Sequence, residues 1–320
     1  MEQTPNAIEM HNVSRTFDQD TGVFDIQMEL PEGAIFGLIG PSGCGKTTTV
    51  RLVAGLYKPD SGTLRVLGQE PQRFTMRTRE RIGYMPQQFV LYPNLNVREN
   101  IEFVASLYGL SKSERNRRIS TLLELVELED ATKRLGSQLS GGMKRRLELA
   151  CALVHNPMLL LADEPTAGID PLLRNKFWEH FRHLRDESRT LLVTTQYVGE
   201  AAYCDMVGVM RQGRLLYIDT PDGLRKRALG GEVIRLTVPP QQIHTAMHII
   251  WQHPLVTDVR RSRTPGKIDI LVPHAAETLP DIVRYFDDHS AIAVEQIEEY
   301  LPPFDDIFMM LIEQDEDHEQ

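Results

Sequence analysis

The chain has 320 residues, a formal net charge of −10, 41% hydrophobic residues and three cysteines. That length suits about two domains of ~150 residues, each with its own core, and the acidic balance disfavours nucleic acid as a main partner, because phosphate contacts need clustered Lys and Arg. Cys44, Cys151 and Cys204 lack metal-ligand spacing and are too few to staple a chain of this size, which points to a reducing compartment.

Met1 to Pro5 carries an acid and a proline where a secretory signal would have a basic start and an apolar run, so the protein is expected to stay inside. Ile8, Met10 and the stretch to Phe17 alternate as an opening strand. Ala34 to Ile39 is a continuous apolar run, as a parallel strand buried on both faces requires. It leads into Gly40-Pro41-Ser42-Gly43-Cys44-Gly45-Lys46-Thr47, followed by Thr48, which satisfies G-x-x-x-x-G-K-[ST]. Glycines there let backbone N–H groups close around phosphate oxygens, the lysine reaches the β- and γ-phosphates, and the threonine hydroxyl takes Mg²⁺. Thr47 to Ala54 reads as the helix whose N-terminus faces that phosphate. Cys44, so close to a helix start, reads as a thiol of lowered pKa and raised reactivity.

Tyr84-Met85-Pro86-Gln87 is followed by Gln88 and by the bulky Phe89, Leu91, Tyr92 and Pro93 in a loop; these suit either docking of a short helix or inward packing. Asn96 with Glu99 and Ser111 with Glu114 have capping-box spacing, and residues from about 96 to 155 read as mostly helical. Leu139-Ser140-Gly141-Gly142-Met143-Lys144 lies in this stretch, and His155 reads as a solvated histidine in a helix-to-strand turn. Met158 to Ala162 and Leu191 to Thr195 are short apolar runs suited to central strands, with a helix-like segment from Leu172 to Arg185 between them. No window reaches the ~20 apolar residues needed to cross a bilayer. The best, Thr190 to Met210, is interrupted by Gln196, Glu200 and Asp205.

Leu229-Gly230-Gly231 breaks the pattern. Beyond it, residues 230 to 313 alternate strand and helix periods in the order β-α-β-β-α-β, with a last strand near Ile292 to Ile297 and then a helix carrying Phe304, Ile307, Phe308 and Leu311 on one side. Gln314 to Gln320 reads as an acidic disordered tail.

The phosphate loop, the Ser-Gly-Gly segment and the apolar strand ending in Asp163-Glu164 together resemble the ATP-binding cassette (ABC) family. The resemblance implies a P-loop nucleotidase cassette over residues 1 to 229, α/β with a RecA-like core and a helical subdomain at about 96 to 155; the periods after it read as a small C-terminal α+β ferredoxin-like domain. It further implies that Asp163, Thr47 and Gln87 hold Mg²⁺, that Glu164 is the general base for the attacking water, and that Phe17 stacks on adenine, although a Phe at the end of a strand also suits a core. Gln88 leaves the glutamine assignment open. Ser140, Gly141 and Gly142 would meet the γ-phosphate of a second copy, with Asp170 in the adjoining loop, so that two chains sandwich two ATP molecules.

The departure from that pattern is Gln196, where most family members carry a switch histidine; an amide can hydrogen-bond a γ-phosphate but carries no imidazolium charge. Met143, the Thr194-Thr195-Gln196-Tyr197 segment and the added domain are similar to daunorubicin-resistance-type exporter ATPases. The expectation is therefore an ATPase subunit on the cytoplasmic face of a membrane, working as a homodimer on a separate permease that docks near Gln88 to Asn94. Two other functions share the motifs: a soluble ABC ATPase in DNA maintenance or translation, and a poorly hydrolysing, ATP-dependent dimerisation switch.

Overall fold

The computed structural model describes residues 5–18, 21–262, 264–288 and 292–319, and the chain divides into two compact units, Met1–Thr220 and Pro221–Gln320. The first unit runs β1 (Asn6–Asp18), β2 (Thr21–Pro31), β3 (Ile35–Ile39), α1 (Lys46–Val53), β4 (Ser61–Val66), α2 (Met76–Arg79), β5 (Ile82–Met85), α3 (Val97–Leu107), α4 (Lys112–Leu125), α5 (Gly141–Leu153), β6 (Leu159–Asp163), α6 (Pro171–Asp186), β7 (Thr190–Thr195), β8 (Met206–Arg211) and β9 (Arg214–Asp219).

Its main sheet has the order β5-β6-β7-β3-β8-β9, parallel throughout except for the β8–β9 pair. β3, β6 and β7 are buried along their whole lengths, which is why each is built on a continuous apolar run, residues 35–39, 159–162 and 191–193. A three-stranded antiparallel sheet, β2-β1-β4, packs its Ile8, Met10, Val23 and Ile26 into the same core as Phe36 and Leu38 of β3 and Val50, Leu52 and Val53 of α1. β2 and β4 went unread in the sequence, although Ile26, Met28 and Leu30 of β2 alternate with Gln27 and Glu29 as a half-buried strand does.

The helical stretch behaves as its caps require. Asn96 and Glu99 form a reciprocal capping box at the start of α3, and Ser111 accepts from the Glu114 N–H at 3.3 Å at the start of α4. Ser140 is the N-cap of α5 and accepts from the Met143 N–H at 3.3 Å.

The second unit comprises α7 (Pro221–Leu229), β10 (Glu232–Thr237), α8 (Ile243–Ile250), β11 (Asp258–Arg261), β12 (Lys267–Val272), α9 (Ala275–Asp288), β13 (Gln296–Tyr300) and α10 (Phe304–Glu319). Its sheet has the order β11-β12-β10-β13 with every neighbouring pair antiparallel, the ferredoxin-like arrangement. Ile234, Leu236, Ile268 and Ile270 on one sheet face pack against Ile243 and Ile250 of α8 and Ile282 and Phe286 of α9.

Three boundaries differ from the sequence reading. The units divide after Thr220, not after Leu229, because α7 packs on α10. The last strand is Gln296–Tyr300, since Ile292 enters the core from the segment before it and the pairing with β10 runs from Gln296 to Tyr300. The expected disordered tail is also corrected: α10 continues to Glu319, and Gln314 Nε2 donates to the Ala228 carbonyl at 3.0 Å. Charge had suggested disorder, but Glu and Gln are good helix formers and here extend a helix anchored by the buried Phe304, Ile307 and Leu311. Gln320 lies outside the described residues.

Candidate active site

The loops after β3, β6 and β7 leave the carboxyl ends of three adjacent parallel strands. Register pairs Ile39 with Thr195 and Asp163 with Thr194, so the phosphate loop, the Asp-Glu pair and Gln196 emerge side by side. That edge is where ligands bind in open α/β sheets.

Residues 40–47 wrap from β3 into α1. A Cβ on Gly40 would lie 2.2 Å from the Met210 carbonyl oxygen, so the loop can follow this path only with glycine. Gly43 has φ 81° and open space where a Cβ would stand, as a backbone cradle facing a ligand needs. Lys46 is almost fully buried; its Nζ donates to the carbonyls of Gly40 at 2.8 Å and Pro41 at 3.1 Å and lies 3.9 Å from Glu164 Oε1.

Behind the loop, Thr47 Oγ1 donates to Asp163 Oδ1 at 3.1 Å and Thr194 Oγ1 donates to the same oxygen at 2.7 Å. Asp163 Oδ2 is buried and has no hydrogen-bond partner among the described residues. A fully buried carboxylate with one oxygen unsatisfied is costly unless a cation or its water shell completes it, so Asp163 and Thr47 fit a hard divalent ion, which prefers oxygen ligands.

Glu164 follows in a left-handed conformation, φ 49°, held by its N–H donating to Thr194 Oγ1 at 2.9 Å and to the Thr194 carbonyl at 3.1 Å. Such strain in a non-glycine residue is kept only where the surroundings over-determine it. Of the two adjacent glutamines, Gln87 reaches this residue, its Nε2 donating to Glu164 Oε2 at 2.9 Å. Gln196 is exposed, and its Oε1 accepts from Ser42 Oγ at 3.3 Å.

Phe17, Ser42, Gly43, Gly45, Lys46, Thr47, Thr48, Gln87 and Glu164 all line one cavity of about 370 Å³, together with Thr21, Gly22 and Arg51. Phe17 is 43% exposed at its rim, edge-on to Tyr57 at 5.4 Å. The core reading of Phe17 therefore fails: the ring is exposed at the cavity, with the Arg15 guanidinium 5.3 Å over it. The chain's own Ser140, Gly141, Gly142 and Asp170 do not line the cavity. Ser140 and Gly141 are exposed, a Cβ on Gly141 would meet nothing within 4 Å, and Asp170 Oδ1 caps α6 by accepting from the Leu173 N–H at 3.0 Å.

Two expectations are corrected. Cys44 points into the core, 4% exposed, and burial pushes its thiol above the ordinary value despite the nearby Lys46 ammonium. The helix N-terminus that was expected to activate it acts on the loop's backbone face, while the side chain turns away. His155 is partly buried, stacked on Tyr108 at 3.7 Å and bonded through Nε2 to the Ile82 carbonyl at 3.0 Å; burial pulls its pKa down. Thr194 is the site residue that sequence reasoning missed. Its signal was a pair of hydroxyls, Thr194 and Thr195, following the apolar Leu191–Val193 in a fully buried strand.

The matching family model, described as ABC transporter, covers residues 23–167. The chain is 36% identical over 278 residues to the linearmycin resistance ATP-binding protein LnrL of Bacillus subtilis, covering 86% of this chain and 89% of that protein. It is 38% identical over 234 residues to the Nod factor export ATP-binding protein I of Paraburkholderia xenovorans, covering 73% of this chain and 77% of that one. The probable multidrug ABC transporter ATP-binding protein YbhF of Escherichia coli is 38% identical over 234 residues, but the chain spans only 40% of its length. Among solved structures, a dimeric ATP-binding cassette in a post-hydrolysis state bound to ADP and Pi superposes with a TM-score of 0.62 at 26% identity, covering 67% of this chain and 98% of that one. An ATP-binding subunit of an ABC transporter gives a TM-score of 0.63 at 28% identity, covering 69% and 92%. The chain belongs to the ABC transporter family, whose cassettes are ATPases.

Proposed function

We propose that this chain is the ATP-hydrolysing subunit of an ABC exporter, acting as an ATP-bound homodimer on a separate transmembrane permease from the cytoplasmic face of the membrane. The observation that carries the reading is the meeting of Lys46, Thr47 and Glu164 around one open cavity, with Asp163 directly behind Thr47. Names of the relatives, which concern multidrug transport, linearmycin resistance and Nod factor export, support export over uptake. Among the described residues no helix is long and apolar enough to cross a membrane, so the spanning part would come from another polypeptide.

In this reading Phe17 stacks on adenine, and the N–H groups of residues 40–48 and the Lys46 ammonium surround the phosphates. Thr47, Asp163 and Gln87 would hold Mg²⁺, which supplies charge neutralisation on the β- and γ-phosphate oxygens. Glu164 accepts the proton of the water that attacks the γ-phosphorus as the bond to ADP breaks. Gln196 turns its amide toward the γ-phosphate. Ser140, Gly141 and Gly142 of a second copy, with Asp170 beside them, close the site. A helix N-terminus contributes only ~0.3–2 kcal/mol, so Lys46 carries most of the protein's charge stabilisation and the second copy makes turnover depend on dimerisation.

The permease would dock on the 88–94 segment, where Phe89, Val90 and Tyr92 are exposed beside a groove of about 260 Å³. Phosphate release from Mg-ATP by the purified chain tests the function. Turnover that falls at least ~100-fold in both Lys46→Ala and Glu164→Gln supports it; turnover indistinguishable from those variants contradicts it.

A further inference from the structure

Arg145 lies just over one turn into α5, on the side of the helix that faces the segment after β5. Its Nη1 donates to the Pro86 carbonyl at 2.9 Å and to Glu148 Oε2 at 3.1 Å, and its Nη2 donates to the Gln87 carbonyl. Glu148, one turn on, accepts the Val90 N–H through Oε1 at 3.0 Å. The guanidinium also lies 4.7 Å over the Phe89 ring. Four of the five positions from 86 to 90, namely 86, 87, 89 and 90, are thus held by two side chains of one helix.

Both side chains are at most 5% exposed. A buried ion pair adds little net stability over an apolar pair of the same volume, because desolvation of both charges offsets their attraction. Burial is strong enough here to push the Glu148 carboxyl up to about 7. A pair placed at that cost has a reason in what it holds. What it holds is the backbone of the residue whose side chain, Gln87 Nε2, meets Glu164 at 2.9 Å. The other end of α5 begins at Ser140, and residues 140 to 145 span only about one and a half turns, so the segment's position and that of the helix N-terminus are rigidly linked.

We propose that Arg145 and Glu148 are positioning residues that clamp the 86–90 segment to α5, so that the Gln87–Glu164 contact and the Ser140–Gly142 helix start move as one piece. Rigid elements with discrete arrangements are what carry coupling between sites. The role rests on the ATPase reading above, since the clamp acts through Glu164. Arg145 is suited by its fork geometry: one planar group reaches two successive carbonyls and a carboxylate, which a single ammonium does not match.

The test uses full-length protein with Arg145→Lys and Glu148→Gln, measuring steady-state ATPase activity and amide hydrogen exchange of peptides covering 86–92. Arg145→Lys is expected to lower kcat about tenfold with KM for ATP within about threefold, as the loss of one hydrogen bond to a charged group implies. Glu148→Gln keeps an acceptor for the Val90 N–H and is expected to fall between wild type and Arg145→Lys. In Arg145→Lys the 86–92 amides should exchange at least about tenfold faster, with exchange in β3 and β6 unchanged, which separates a local clamp from general destabilisation. Wild-type kcat or wild-type exchange of 86–92 in Arg145→Lys overturns the clamp. An inactive wild type would refute the ATPase reading instead, and the exchange measurement would still decide whether the clamp exists.

Discussion

Thr194 Oγ1 donates to Asp163 Oδ1 at 2.7 Å while accepting the Glu164 N–H at 2.9 Å, so a single buried hydroxyl orients both members of the acidic pair. Thr194→Val keeps the shape of β7 and removes both bonds. It should raise the Mg²⁺ concentration needed for half-maximal ATPase activity and lower kcat, together about 10–100-fold, the equivalent of ~1.5–3 kcal/mol for a bond to a charged group. Thr194→Ser should recover to within a few-fold of wild type. Mg²⁺ titrations of the three proteins decide this; a valine variant indistinguishable from wild type would remove Thr194 from the site.

Gln196 meets Ser42 Oγ through its amide oxygen at 3.3 Å, and its N–H₂ is the end suited to a γ-phosphate. An amide does not titrate near neutral pH, so no acid limb from residue 196 should appear near the ordinary histidine value of ~6.5. Gln196→His should introduce one, and Gln196→Ala should lower the rate ~10–100-fold. The measurement is steady-state rate against pH. An unchanged rate and profile for the alanine variant would exclude a role in turnover.

All three cysteines are buried and burial pushes each thiol up. Because the thiolate is the reactive form, none should react with a thiol reagent in the native protein within the time in which the unfolded chain reacts completely. Fast native labelling of Cys44, slowed by ATP, would restore the sequence-based expectation and contradict its placement in the core.

Burial lowers the pKa of His155, opposed by its bond to the Ile82 carbonyl and assisted by the nearby Arg118 charge. The folded state therefore binds this proton less readily than the unfolded chain, whose histidine titrates near the ordinary 6.5. Stability from this group is full above that value and is lost as pH falls below it toward the lowered folded value. The melting temperature of wild type relative to His155→Gln should therefore drop between pH 7.5 and about 5.5. A constant difference across that range would place the ring in solvent.

How far the sequence reached follows from where each signal lies. The phosphate loop and the Asp163–Glu164 pair were legible because their chemistry fixes residue type at short, fixed spacings, the choice between Gln87 and Gln88 was not, and β3, β6 and β7 were legible because burial on both faces makes most of their residues apolar. The ferredoxin-like unit was legible from alternating periods, since each strand has one covered face. Side-chain direction was not. Cys44 sits between Gly43 and Gly45 in a loop whose backbone faces the cavity, and nothing local says that its own side chain turns into the core. Arg145 and Glu148 look like one more charged pair on a helix until the 86–90 segment is placed against them. Thr194 gains its meaning only from β6 lying beside β7.

The central claim is that two copies close on ATP and that Glu164 then drives its hydrolysis. Light scattering coupled to size-exclusion chromatography of Glu164→Gln with Mg-ATP tests it most directly, because Lys46, Thr47 and Asp163 remain to hold the nucleotide while the base is gone. The expected result is a stable dimer with ATP, a monomer with ADP or without nucleotide, and a monomer under all conditions for Lys46→Ala. A Glu164→Gln protein that binds ATP yet stays monomeric at high concentration would contradict the account.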